Sequence, residues 1–493
     1  MKNREELQNS IFEKSAMVIK RRRQRRKRAG VTATGLFLIA GMGIYLLKNV
    51  SGKNQEAENK QIEIQLAEKE TQSRQTQITE KNAENDSKKN EISENTTSGN
   101  IILVSETAKK IAERTNLSEK FIQHTADFSI ELFQKSFQKK EKENVMISPL
   151  SALLVLSMTA NGADNETLLE MESVLGGELE IKEINENLNS FMTGLYNREK
   201  TKLFAADSIW IRNEKNEFII NPEFLDINRK YYYADSYVRP FNQETMQEMN
   251  QWISEKTEGM FQEIINDISA NTIMYLFNTM IFQGEWQKIY YEDEVREGTF
   301  IGYNGKEQEA FMMYSTEGLY LNMENAKGFI KPYENGYSFA ALLPDEGIDI
   351  GEFIQSLDGE MFLKIIEGAE DTENMEIGGV SAVLPKFSSR TCVEMQEILQ
   401  EMGIKQAFVE EKADFSKMER MSRKNVFIST VLQNSYINVD EAGTQAGAVT
   451  QVGVTGAGIS KIEVILNRPF VYAVIDNQTK LPVYIGAVLN MET

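Results

Sequence analysis

The sequence predicts an α+β protein built around one large sheet, and three observations lead there. The stretch SALLVLSMTANGADNETLLEMESVL, residues 151–175, has apolar side chains recurring every three or four positions, with Gly162 as a stop. Later segments, LFAADSIWI, TIMYLFNTMIF, GYSFAALLPD, VSAVLPKF and VYAVID, are short, apolar and β-rich, with turn residues between them. Helices therefore come mostly first and strands mostly later, an order that fits α+β rather than alternating βαβ units.

Composition supports a folded body and assigns it a charge. Of 493 residues 41% are hydrophobic, with 25 Phe and 17 Tyr, enough for a sizeable core. The net charge of −20 is uneven: residues 1–28 hold eleven Lys or Arg against three Glu, a net +8, which leaves −28 for the remainder. An acidic body repels phosphates, so nucleic acid is not expected as a partner.

Four regions follow along the chain. Residues 1–28, with the run KRRRQRRKR, read as a basic cytoplasmic tail. Residues 29–47, AGVTATGLFLIAGMGIYLL, carry no charge, and as a helix span about 28 Å, the thickness of a bilayer core. Basic residues upstream orient such a span with its C-terminal side outside the cell. A cleaved signal peptide is the rival reading, but the apolar run is long and no A-x-A site follows it. Residues 48–105 are largely Glu, Lys, Asn, Gln, Ser and Thr, and read as a polar stalk too poor in apolar surface to fold alone. Residues 106–493 form the globular body. The expected location is the cell membrane, single-pass with the body outside, or secretion if the anchor is cleaved; the composition is compatible with a bacterial surface.

Little in the body suggests catalysis, and no enzyme, cofactor or metal site is expected. Cys392 is the single cysteine, which removes intrachain disulfides and a lipoprotein anchor, and His124 is the single histidine, so a Cys/His zinc site is not available. His124 lies in the helical pattern EKFIQHTADFSIELF with no Ser or Cys nucleophile motif beside it. GVTGAG at 453–458 is followed by the β-rich IEVIL instead of a helix, and no GK[ST] occurs, so it does not read as a phosphate loop.

The remaining anomaly is DEAGTQAGAVTQVGVTGAGISK at 440–461. Between Glu441 and Lys461 stand nineteen residues with no charge and no aromatic ring, five of them Gly and four Ala. Composition alone allows a flexible linker. The motifs around it say more: NVMISPLSALLVLSM at 144–158, NQWISEKTEGM at 250–260, LFNTMIFQGEW at 276–286, FMM at 311–313, KPYENGYSFAALLPDEG at 331–347, LPKF at 384–387, DEAGTQAGAVT at 440–450 and RPFVYAVID at 468–476. In this order and spacing they make the body, from about Glu106 to Thr493, resemble a serpin, a member of the serine protease inhibitor superfamily.

The resemblance implies a large central mixed sheet with surrounding helices and an exposed reactive-centre loop. A target serine protease, or a cysteine protease, would cleave that loop and form an acyl-enzyme, and the freed N-terminal half would insert into the sheet as a new strand. Alternation along a strand puts Thr444, Ala446, Ala448 and Thr450 on one face, all small and uncharged, and Gln445, Gly447, Val449 and Gln451 on the other. Counted from Glu441, the family's hinge glutamate, with Gly443 beyond it, the reactive bond is Ala457–Gly458; counted from Pro469 it lies one residue later. Small side chains from Val454 to Ala457 suit an elastase-like or subtilisin-like protease, whereas Lys461 would suit trypsin but breaks the spacing. By resemblance Lys386 and Glu441 pair beside Trp286 at the top of the sheet, where insertion begins. Ser148, Ser151 and Asn278 match a polar cluster halfway down, with Gln433 where relatives usually have histidine; the ending VLNMET also departs from the Asn-Pro common in relatives. The chain is expected to act as a monomer, in covalent complex with its protease. The competing class is a non-inhibitory surface binding protein on the same fold, whose members tend to carry bulky or charged residues where Thr444 to Thr450 stand.

Overall fold

The computed structural model describes residues 102–103, 117–140, 142–195, 201–213, 218–232, 235–256, 265–268, 272, 274–372, 378–422, 426–428, 431–444 and 462–491. The expected cytoplasmic tail, apolar span and almost all of the stalk lie outside these residues, as do Ala446, Gly447, Ala448, Thr450, Ala457 and Gly458. Among the described residues no helix is long and apolar enough to cross a membrane.

Helix α1, Glu119–Lys139, starts where the Ser118 hydroxyl accepts the Phe121 amide at 3.2 Å, with Glu119 in its first turn and Lys139 in its last, the signs its dipole favours. Its inner stripe buries Phe121, Phe128, Leu132 and Phe133. Helix α2, Pro149–Ala160, has proline at its start and almost no polar face, because it runs through the core. It is followed by α3 (Asn165–Gly176), α4 (Ile181–Leu195), α5 (Pro222–Tyr232), α6 (Gln243–Lys256), α7 (Ile350–Ser356), α8 (Gly359–Glu367) and α9 (Gln396–Met402).

Among the described residues the strands make four sheets. The large one has the order β1 (Ile102–Leu103), β5 (Asp235–Arg239), β3 (Thr201–Arg212), β6 (Met274–Glu285), β17 (Gly443–Thr444), β16 (Leu432–Asp440) and β14 (Phe387–Glu394). It is mixed, since β3 and β5 run parallel and the other neighbours antiparallel. A second sheet has the order β12 (Glu370–Asp371), β9 (Leu319–Asn322), β10 (Ala326–Pro332), β11 (Tyr337–Pro344), β19 (Phe470–Asp476), β20 (Pro482–Val488) and β2 (Val145–Ile147), its strands buried from β10 to β2 and more open at β12 and β9. A third contains β18 (Ile462–Ile465), β13 (Val380–Pro385), β8 (Glu307–Glu317) and β7 (Val295–Ile301), and a fourth pairs β15 (Glu419–Ser422) with β4 (Phe218–Ile220).

Every segment read as β-rich in the sequence is a strand: β3, β6, β11, β13 and β19. One boundary differs. Ile102 and Leu103, counted above with the polar stalk, form a two-residue strand opposite Tyr237 and Ser236. Ile102 and Leu103 meet there an edge strand whose backbone groups take a partner.

Chain order puts the bland segment between two sheets. It leaves the large sheet at Thr444 and reappears at Ile462 as β18, parallel to β13.

Candidate functional site: the turn that leads into the loop

Strand β16 ends at Asp440, whose carboxylate accepts the Ala442 amide at 3.0 Å and so folds the chain back over Glu441–Ala442. The next two residues re-enter the sheet. Gly443 pairs with Asp440 on one side and Glu285 on the other, and Thr444 with Val439 and Gly284. The loop's first residues are thus already a short strand between β6 and β16.

Two glycines permit this. Gly443 has φ +147°, and a Cβ on it would stand 1.9 Å from the Gly284 carbonyl oxygen. A Cβ on Gly284 would in turn come within 2.8 Å of the Phe282 and Tyr333 rings. Thr444, only 1% exposed, shares a 2.6 Å hydrogen bond between its hydroxyl and that of Tyr333. Burial pushes the Tyr333 phenol far above its usual range, so it stays neutral and able to donate.

The turn is seated from one side by residues 286–290. The Trp286 amide donates to the Ala442 carbonyl at 3.0 Å, the Tyr290 amide to the Glu441 carbonyl at 2.9 Å, and the Trp286 indole N–H to the Asp440 carbonyl at 2.9 Å. Trp286 itself is 1% exposed and stacks on Tyr333, with ring centroids 4.3 Å apart and planes 10° apart. Lys386 Nζ lies 2.5 Å from Glu441 Oε2, but both side chains are about one-third exposed, 33% and 38%. An exposed pair contributes under about 1 kcal/mol, whereas each net backbone hydrogen bond contributes about 0.5–1.5 kcal/mol. The two backbone bonds and the indole bond together outweigh the ion pair in holding the turn.

A second polar cluster ties β16 to α2. Gln433 Oε1 accepts the Ser148 amide at 2.9 Å, and its Nε2 donates to the Ser148 carbonyl at 2.8 Å. The Ser148 hydroxyl donates to the Val483 carbonyl at 2.9 Å and accepts the Ser151 amide at 3.3 Å, capping α2. Ser148, Ser151 and Gln433 are all buried. An amide both donates and accepts, so one glutamine satisfies both backbone groups of one residue. Asn278 lies on β6 opposite Asp207.

Tyr290, Tyr333, Gly284 and Asp440 carry no signal of their own in the sequence. Tyr333 and Gly284 fall inside the runs KPYENG and QGEW, but their meeting with Thr444 depends on strands far apart in the chain.

The comparisons with known proteins name the family. A family model described as Serpin (serine protease inhibitor) matches residues 123–491, about three-quarters of the chain. The chain belongs to the serpin family. Among curated relatives, leukocyte elastase inhibitor of Xenopus tropicalis is 28% identical over 369 residues, 73% of this chain and 96% of that protein. Among solved structures, the thermophilic serpin tengpin in its native state is 44% identical with a TM-score of 0.73, covering 80% of this chain and 100% of that one. Tengpin in its latent state is 42% identical with a TM-score of 0.68, covering 77% and 100%.

Two substitutions test the geometry. Gly443→Ala is expected to expel residues 443–444 from between β6 and β16 and to lower native stability by about 1–3 kcal/mol, seen as a lower melting midpoint and new proteolytic cleavage after Thr444. Gln433→Leu takes away the Gln433 acceptor of the buried Ser148 amide, at about 1–3 kcal/mol, while the Ser148 carbonyl keeps the Ala152 amide, and the native midpoint should fall accordingly.

Proposed function

We propose that this protein is an irreversible suicide-substrate inhibitor of serine proteases with elastase-like or subtilisin-like specificity, and of cysteine proteases that accept the same loop. The observation that carries the reading is the two-residue strand β17 between much longer neighbours. It pairs with two of the twelve residues of β6 and two of the nine of β16. Continuing that register sets Ala446 between Phe282 and Ile437, Ala448 between Met280 and Ser435, and Thr450 between Asn278 and Gln433. Phe282, Ile437, Ser435 and Gln433 are all buried, as Thr444 is. The face the loop must bury is the face on which it carries only Thr and Ala.

The mechanism follows from lengths. Fourteen residues from Thr444 to Ala457 span about 46 Å when extended. Inserting them after cleavage at Ala457–Gly458 drags the acyl-linked protease that far from where it docked. A displacement of about 1 Å costs about a hundredfold in rate, and lost oxyanion-hole geometry about as much or more, so deacylation stalls. The intact fold is then a kinetically trapped state that cleavage releases. Leukocyte elastase inhibitor among the relatives, and small side chains from Val454 to Ala457, support the specificity. In the same reading residues 29–47 anchor the inhibitor to the membrane of the cell that makes it, with the body outside.

Mixed with pancreatic elastase or subtilisin, the protein should form a complex that survives denaturing electrophoresis, and the clipped protein should melt well above the intact one. Cleavage with neither outcome refutes the proposal. Thr444→Arg, which places a charge in a site 1% exposed, should slow insertion and convert the inhibitor into a substrate, read as a fall in complex and a rise in cleaved monomer.

A further inference from the structure

Beneath the turn lies an ion pair that neither the fold nor the trapping mechanism requires. Lys331 on β10 and Glu317 on β8 are 2% and 4% exposed by side chain, and Lys331 Nζ lies 2.8 Å from Glu317 Oε1. The Ser315 hydroxyl donates to the same Glu317 oxygen at 2.6 Å and sits 3.3 Å from the Tyr290 hydroxyl. The ammonium is also 4.2 Å from the centre of the Tyr290 ring and 5.4 Å from that of Trp286.

Stability does not account for such a pair. Desolvating two ions costs as much as their attraction returns, and well-packed apolar residues in their place are often neutral or stabilising. What the pair does have is position. Its cation faces the rings of Tyr290 and Trp286, the residues whose backbone amides donate to the carbonyls of Glu441 and Ala442. A desolvated cation over a ring face is held in place by the ring quadrupole, and Glu317 with Ser315 fixes where that cation stands. The chain of contacts runs Glu317, Lys331, Trp286 and Tyr290, then the turn.

We propose that Lys331 and Glu317 are positioning residues for loop insertion: they fix Trp286 and Tyr290, and through them the pivot about which the cleaved loop swings into the sheet. This rests on the trapping reading above. A rigid pivot delivers Gln445 onward in register between β6 and β16; a loose one lets the strand enter late or out of register, and the acyl-enzyme hydrolyses first. The pair therefore acts on the partition between trapping and turnover and not on the stability of the intact protein.

The test uses the double variant Lys331→Met/Glu317→Leu, which removes both charges together, alongside Glu317→Gln, which strands a buried ammonium. With saturating subtilisin, loop insertion is followed by the tryptophan fluorescence change after nicking, and the melting midpoint of intact and clipped forms is measured in parallel. The double variant should keep the native midpoint or raise it, while insertion slows about threefold or more and the excess over one mole of inhibitor consumed per mole of trapped subtilisin rises in proportion. Glu317→Gln should lower the native midpoint as well. Wild-type insertion rate and stoichiometry in the double variant would overturn the inference while leaving the inhibitor reading intact. A slowing matched by a fall in the native midpoint of the double variant would assign the pair to stability alone and overturn it too. If clipped wild-type protein gains no stability, the trapping reading fails, and this inference with it.

Discussion

The constraint on which the rest of the structure depends is a close approach of two backbones at the head of the large sheet. Gly443 lies against Gly284 at a distance that leaves no room for a side chain on the former. The turn before it is held by amides of Trp286 and Tyr290 and by the indole N–H of Trp286. These contacts fix the register of Gly443 and Thr444 between β6 and β16. In the proposed insertion every later residue would inherit its strand face from them, because alternation has a period of two and a slip of one residue would exchange the faces.

On the proposed insertion, that inheritance would account for the blandness of the segment in physical terms. Residues bound for the core side of an occupied sheet must fit against side chains that are already packed, and packed interiors tolerate added volume poorly. Thr444 shows the pattern in miniature: its methyl is buried and its hydroxyl is satisfied by Tyr333, a phenol that burial keeps neutral. Charge or bulk at the same face would have to be desolvated or accommodated within the time an acyl bond survives.

Two buried polar groupings lie along the same path and differ in kind. Gln433 is bound to the backbone of Ser148 through neutral hydrogen bonds that can be exchanged for others at little net cost, since each is modest in net free energy. The Lys331–Glu317 pair cannot be exchanged so easily, because separating its members leaves a charge in an apolar surround. One grouping suits a place that must open and the other a place that must not move. Their locations agree with that division: Gln433 faces the register position that Thr450 would take, and Lys331 lies under the turn on which the proposed insertion would pivot.

The sequence by itself determined the α+β class, the apolar helix α2 and the strands β3, β6, β11, β13 and β19, because apolar periodicity and turn residues act over a few neighbouring positions. Through the resemblance it also carried the family and the meeting of Lys386 with Glu441, whose motifs stand in a fixed order. Tertiary structure alone decided that Gly443 and Thr444 are a strand in the intact protein, since a two-residue strand has no local pattern and exists only where β6 and β16 flank it. It also decided that Ile102–Leu103 pair with β5, and that Lys331, which the sequence offered only as the first residue of KPYENG, is buried against Glu317. Those contacts join positions on different strands or different sheets, and no property of a short window of residues encodes which distant backbone or charge it will meet.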